Sequence, residues 1–197
     1  MLKSLIPPPP KSDITLSEDT FGKMYGFIER LRTEGFEVLK TRVPETSPEA
    51  EEFRTLCEKN ECGCYGTNWG CPPGTGSIEE CSEILKGYSE AYLVRRRYVV
   101  DPKNAKDVRR VSDEMIGSTR RAGDMIRPFA PVKILGDGGC RYCGTCTYPD
   151  AECRYPSQRI DSISSHGFDM EEILEQVGEK LVFENNAVTL YALILVG

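Results

Sequence analysis

Residues 138–156 read GGCRYCGTCTYPDAECRYP and hold four of the nine cysteines of the chain. Cys140, Cys143 and Cys146 follow one another at three-residue steps, and Cys153 follows after six intervening residues. This spacing puts three thiolates on one short loop, as a cubane [4Fe–4S] cluster requires, because its iron corners lie close together. The segment contains few apolar side chains, so metal binding is expected to supply much of its folding energy.

Residues 57–81, CEKNECGCYGTNWGCPPGTGSIEEC, carry the other five cysteines, one more than a second cluster needs. Cys62 and Cys64 flank a single glycine and are too close together to reach two cluster corners comfortably. Cys81 follows the capping box formed by Ser77 and Glu80, so it lies near a helix N-terminus, where the dipole favours a thiolate. The predicted first ligand set is therefore Cys57, Cys62, Cys71 and Cys81, with Cys64 as the spare thiol.

A competing interpretation of the same residues stays open. Ile78, Cys81 and Leu85 share one helical face, and a cysteine there can pack as a small hydrophobic residue. The metal would then be held by Cys57, Cys62, Cys64 and Cys71.

Composition and cysteine usage narrow the classes of protein to consider. Disulfides suit small secreted chains, whereas this chain has 197 residues and no recognisable export signal. Structural zinc sites usually pair one C-x2-C with a distant second pair, and three cysteines in one run favour iron–sulfur chemistry instead. The net charge is −6 before any thiolate is counted, which argues against nonspecific nucleic-acid binding. No apolar run is long enough to span a membrane, so the cytoplasm is the expected location.

The periodicity along the chain predicts an α/β fold, with a mixed central sheet, flanking helices and two cysteine-rich cluster-binding loops at one end. Residues 1–16 form a predicted proline-rich arm, and residues 17–197 a single domain. Helices are expected from Ser17 or Asp19 to Gly35, from the Ser47-Pro48 start to Cys57, and over residues 77–87, 104–129 and 169–177. Strands are expected over residues 36–43, 91–100, 132–135 and 187–196.

Charged residues near the second cysteine segment allow two interpretations. Arg141, Arg154 and Arg159 are either solvated surface charges or groups that screen an anionic cluster and dock an acidic partner. His166, the only histidine, could serve as a proton shuttle, but composition favours a surface turn.

The cysteine segments together resemble a family of small predicted metal-binding proteins found mainly in anaerobic bacteria and archaea. The resemblance is carried by Tyr65, Gly66, Trp69, Cys71, Pro72 and Pro73, by the late C-x2-C-x2-C-x6-C, and by the final TLYALILV. It implies iron–sulfur binding in an anaerobic setting and supplies no reaction. The family does not regularly have cysteine at the position of Cys64, which supports treating that thiol as extra.

These observations lead to three hypotheses of different class. The first is an electron-transfer or relay protein with two [4Fe–4S] clusters that serves a redox partner protein. The second is an enzyme in which one cluster has an exchangeable corner for a small substrate, with Cys64 or His166 nearby. The third is a structural metalloprotein, such as a zinc protein. The sequence leaves open whether the chain forms a homo-oligomer.

Overall fold

A five-stranded mixed sheet with helices on both faces forms the framework of the protein. The computed structural model describes residues 18–197, so the arm predicted for residues 1–16 lies outside the described residues. The helices are α1 (Glu18–Thr33), α2 (Ala50–Glu58), α3 (Ile78–Leu85), α4 (Ala105–Ile126) and α5 (Met170–Glu175). The strands are β1 (Glu37–Thr41), β2 (Glu90–Tyr98), β3 (Val132–Gly136), β4 (Ile160–Ser162) and β5 (Val188–Val196). The predicted α/β class and mixed sheet are confirmed.

The strands lie in the order β1-β2-β5-β3-β4, and only the β3–β4 pair is parallel. The last strand of the chain therefore lies at the centre of the sheet, where Leu193 opposes Leu93 on β2 and Leu135 on β3. All three leucines are fully buried. A continuous apolar run is what a strand covered on both faces requires, and this explains the composition of TLYALILV.

Each face of the sheet has its own apolar core. Helices α1 and α4 pack against each other and cover one face, where Phe27, Met115 and Ile126 meet Val94 of β2. The opposite face is covered by α5 and the segment before it, through Phe168 and Leu174 among others. Neighbouring residues of β2 and β5 point alternately into these two cores, as the pleat of a strand dictates.

Helices α3 and α4 begin with the capping chemistry of their local sequence, whereas α2 does not. The capping box of Ser77 and Glu80 is present at α3, and the Asn104 side chain accepts hydrogen bonds at the start of α4. The predicted start of α2 at Ser47-Pro48 is wrong, since the helix begins at Ala50. The Ser47 hydroxyl instead accepts a hydrogen bond from the Glu49 N–H at 3.2 Å, which closes a turn before the helix.

The sheet edge at β4 joins the two cysteine segments. Strand β3 ends at Gly136, directly before the second segment, and β4 returns beside β3 once that segment is complete. The Ser162 N–H, at the end of β4, donates to the Gly70 carbonyl at 2.8 Å. The first segment, between α2 and α3, is thereby attached to the same edge. Within residues 18–197, no helix has the length and apolar character needed to cross a membrane.

Candidate metal centre

Four thiols of the first segment lie along the path from α2 to the sheet edge. Cys57 occupies the last turn of α2, and its Sγ lies 3.5 Å from the Ser164 hydroxyl oxygen. Cys62 is exposed, Cys64 is half-buried and Cys71 is buried. The chain thus carries these thiols from the surface inward before it reaches the contact with β4.

Contacts among these four thiols shift their acidities. A hydrogen bond from the Cys71 thiol, helped by the Gly139 N–H, lowers the pKa of Cys64 to about 5. The same pairing, with Cys71 as the donor, raises the pKa of Cys71. Burial raises the pKa of Cys62, and the negative charges of Cys64 and Cys57 add to that increase. The structure therefore brings Cys57, Cys62, Cys64 and Cys71 into one electrostatically connected group.

Cys81 lies apart from this group. Its side chain is fully buried, with Sγ 3.6 Å from the Thr75 carbonyl oxygen and 3.7 Å from that of Ser165. Burial raises the pKa of Cys81 to about 11, against the attraction of the Arg54 guanidinium 3.6 Å away. These surroundings suit a protonated thiol that donates to carbonyl groups. These contacts favour the packing interpretation of Cys81, and the ligand set that includes Cys81 stays a prediction.

The second segment brings its last cysteine back toward its first two. All four of its cysteines, Cys140, Cys143, Cys146 and Cys153, are half-buried. Burial raises the pKa of Cys153, the Tyr155 N–H and Arg159 oppose this increase, and Cys140 and Cys143 add to it. Cys153 therefore lies within electrostatic range of Cys140 and Cys143, although the turn at Tyr148-Pro149-Asp150 separates it from them in the chain.

Arginines border the second segment in three different ways. The Arg120 guanidinium lies 4.8 Å from the centre of the Tyr142 ring, with Nη2 4.0 Å from Cys140 Sγ. Arg141 forms a salt bridge with Asp113 at 2.9 Å, and Arg154 donates to the Thr145 carbonyl at 3.2 Å, back across the loop. Arg120 was not among the residues that the sequence singled out, since only the fold places α4 beside this loop.

The two cysteine segments meet in a contact that we call the seam, formed by Asn68, Gly70, Cys71, Gly139 and Cys140. A methyl group at Gly70 would lie 2.2 Å from the Ile160 carbonyl oxygen and 2.9 Å from the Cys140 nitrogen. A methyl group at Gly139 would lie 2.8 Å from Cys71 Sγ. Only glycine permits such close approach of backbone.

Aromatic residues extend this contact beyond the seam. The Trp69 indole N–H donates to the Ala151 carbonyl at 3.1 Å, and the Trp69 ring meets the Tyr148 ring edge-on, with centroids 5.0 Å apart. Trp69 belongs to the first segment and its two partners to the second. The segments are therefore packed together over several residues.

The chemistry of these residues fits a thiolate-ligated metal group. All nine cysteines are free, and the eight outside Cys81 divide between the two segments, four in each. Gly139 supplies a backbone N–H to a thiolate, as the surroundings of iron–sulfur clusters do. Within the part of the chain that the structure describes, no three cysteine, histidine or carboxylate side chains converge as ligands of a single ion. These residues therefore fit a metal group through the chemistry of their thiols and through the pairwise contacts among those thiols.

A buried ionic network lies beside the site and was missed at the level of sequence. Asp161 on β4 accepts from Lys133 Nζ at 2.6 Å and from Arg159 Nε at 2.7 Å, and His166 Nε2 lies 3.3 Å from the same carboxylate. Burial acts to raise the pKa of Asp161, but Lys133 and Arg159 outweigh it and hold the pKa well below its usual range. Each of these side chains is at least nine-tenths buried.

The prediction that His166 lies in a surface turn is therefore wrong. The side chain is fully buried, and burial lowers its pKa, because the interior disfavours the imidazolium. Of the two interpretations left open for Arg159, the solvated surface charge is wrong, since the residue is buried. A lysine within the apolar strand VKIL does signal a buried partner, but the sequence does not identify which acid supplies it.

The fold and the paired four-thiol segments define a cysteine-rich α/β protein of metal-binding character. The sequence model of the family described as predicted metal-binding protein (DUF2284) matches residues 44–196, and the chain belongs to that family. Neither a curated protein sequence nor a solved structure matches the chain.

Proposed function

We propose that this protein binds two [4Fe–4S] clusters and relays single electrons between redox partner proteins. The first cluster is assigned to Cys57, Cys62, Cys64 and Cys71, and the second to Cys140, Cys143, Cys146 and Cys153. Membership in a metal-binding family and two groups of four free thiols support this assignment.

The proposed first ligand set takes Cys64 in place of Cys81, and it gives up the expectation from sequence spacing that Cys62 and Cys64 do not both bind one cluster. Cys64 contacts Cys71 and shares charge interactions with Cys62, whereas Cys81 donates to two carbonyl groups inside the core. Cys64 therefore belongs with the other thiols of the set, whereas Cys81 lies among backbone carbonyl groups and beside Arg54. The set with Cys81 stays a prediction from the sequence, and iron analysis separates the two.

The observation that carries the relay proposal is the seam. Cys71 of the first set lies against Gly139, whose chain neighbour is Cys140 of the second set. When bound, the clusters would supply one-electron carriers, and the protein would hold them side by side through these adjoining ligands. Trp69 and Tyr148, both half-buried, also pack against each other across the two segments.

Iron and acid-labile sulfide analysis of anaerobically purified protein tests the metal assignment. We expect about eight iron and about eight sulfide per chain. Stoichiometric zinc in the native protein would overturn it. A relay further requires that dithionite reduces the protein reversibly, with a paramagnetic signal of a reduced cubane cluster, and a protein that cannot be reduced is not a relay.

A pair of serine variants tests the ligand choice. Cys64→Ser is expected to lose about half of the iron, one cluster of two, whereas Cys81→Ser keeps it all. Cys81→Ser is the matched control, because both changes replace one sulfur by oxygen in the same segment. Iron loss in Cys81→Ser alone would return Cys81 to the ligand set.

A further inference from the structure

The sheet opens between β3 and β5, at the end of the molecule that carries Cys57. Strand β3 pairs with β5 only over residues 193–196 and ends at Gly136, while β5 already begins at Val188. Residues 188–192 therefore have no partner on β3. The space beside them is a cavity of about 670 Å³, which extends from Thr189 across to Cys57 and Cys62.

Apolar side chains form most of the wall of this cavity. Phe53 and Leu56 come from α2, and Leu190 lies on β5. Phe168 lies just before α5, and Met170 is the first residue of that helix. Leu56 is 58 % exposed, although the next residue of α2, Cys57, is a proposed metal ligand. A volume of this size with predominantly apolar walls is typical of small-molecule sites.

The charged groups around the cavity are all acidic. Glu61, Asp137, Asp169 and Glu171 line it, and no lysine, arginine or histidine does so within residues 18–197. Asp169 also caps α5, where its carboxylate accepts from the Glu171 N–H at 2.8 Å. Burial raises the pKa of Asp137 and the Arg141 guanidinium acts against that increase, so the argument rests on the other three carboxylates. With no cation lining the cavity, Glu61, Asp169 and Glu171 repel an anionic ligand and favour a neutral or positively charged one.

We propose that this cavity binds a small apolar molecule, uncharged or positively charged, next to the first cysteine set. Cys57 and Cys62 both line the cavity, and the Ser164 hydroxyl beside Cys57 offers a polar contact. The ligand would therefore bind beside the first metal group. Only the presence of that metal rests on the proposed function, because the walls and charges of the cavity come from the side chains of the protein.

Three probes with one naphthalene body and different charges test the inference. They are 1-naphthylmethylamine as the cation, 1-naphthalenemethanol as the neutral compound and 1-naphthoate as the anion. Equilibrium dialysis against the full-length anaerobic protein measures their binding without interference from cluster absorbance. We expect one site for the amine and the alcohol, with the anion bound at least about ten-fold more weakly than the amine. Equal or tighter binding of the anion overturns the proposal.

Two pairs of variants locate the binding. Leu56→Ala is expected to weaken the amine and the alcohol about five-fold, because it removes apolar wall. Val182→Ala is the control, since Val182 is similarly exposed at 61 % and lies outside the cavity. Equal effects of the two changes would place the binding elsewhere and overturn the proposal.

The second pair concerns charge. Glu171→Lys is expected to tighten naphthoate binding relative to the amine, whereas Glu175→Lys, on the same helix but outside the cavity, leaves the ratio unchanged. An unchanged ratio in Glu171→Lys contradicts the charge argument. Failure of these binding tests leaves the iron and sulfide content intact, so it is distinguishable from failure of the proposed function.

Discussion

Replacing Gly139 by alanine tests the seam on which the arrangement of the two cysteine segments depends. The added methyl group would lie 2.6 Å from Asn68 Nδ2 and 2.8 Å from Cys71 Sγ. Both distances fall short of ordinary van der Waals contact, at about 3.4 Å, by roughly 0.8 Å and 0.6 Å. One of the two segments must therefore move.

Asn68 cannot move without loss. It is buried, its Oδ1 accepts from the Gly70 N–H at 2.9 Å, and its Nδ2 donates to the Cys64 carbonyl at 3.3 Å. Overpacking costs about 1–3 kcal/mol and a lost hydrogen bond about 1 kcal/mol, so we expect Gly139→Ala to lower the free energy of unfolding by about 2–4 kcal/mol. Denaturant unfolding of anaerobic protein measures this quantity.

Gly138→Ala is the matched control for this experiment. A methyl group at Gly138 meets only the Arg141 guanidinium, at 4.0 Å, so the change is expected to be neutral or to stabilise by up to about 1 kcal/mol through the unfolded chain. If Gly139→Ala and Gly138→Ala prove equally stable, the two segments do not meet as described. The two proposed metal groups would then not adjoin.

Two further predictions concern the second segment and the buried network. Cys143→Ser is expected to lose about half of the iron and to make residues 136–160 more susceptible to proteolysis, because metal supplies much of their folding energy; full iron and unchanged cleavage would contradict this. Burial lowers the pKa of His166, so at about pH 6 the unfolded state binds a proton that the folded state does not. The free energy of unfolding should therefore fall as the pH drops below about 6.5, by up to about 1.4 kcal/mol per pH unit. His166→Gln should remove this part of the pH dependence of the free energy of unfolding, measured between about pH 5.5 and 8. The contribution of Asp161, present above about pH 4, is lost only in stronger acid. The same slope in the variant and in the unchanged protein would contradict the role given to His166.

Much of the secondary structure was predictable because its causes are local. The capping box of Ser77 and Glu80 joins residues three positions apart, and the apolar run of β5 reports burial on both faces without reference to other strands. Strand β4 was not predicted, since it has three residues and includes Asp161 at its centre. It exists because β3 lies beside it and the surrounding cations compensate that carboxylate.

The sequence by itself determined the α/β class, the grouping of the cysteines and the chemistry that free thiols in such groups offer. Tertiary structure alone decided the surroundings of Cys64, Cys81 and His166. The thiol of Cys81 meets the Ser165 carbonyl, 84 residues further along the chain, and Cys64 receives a hydrogen bond from Gly139. Local spacing describes what a residue can do within one turn or loop, whereas burial and acidity depend on partners that only the completed sheet brings within reach.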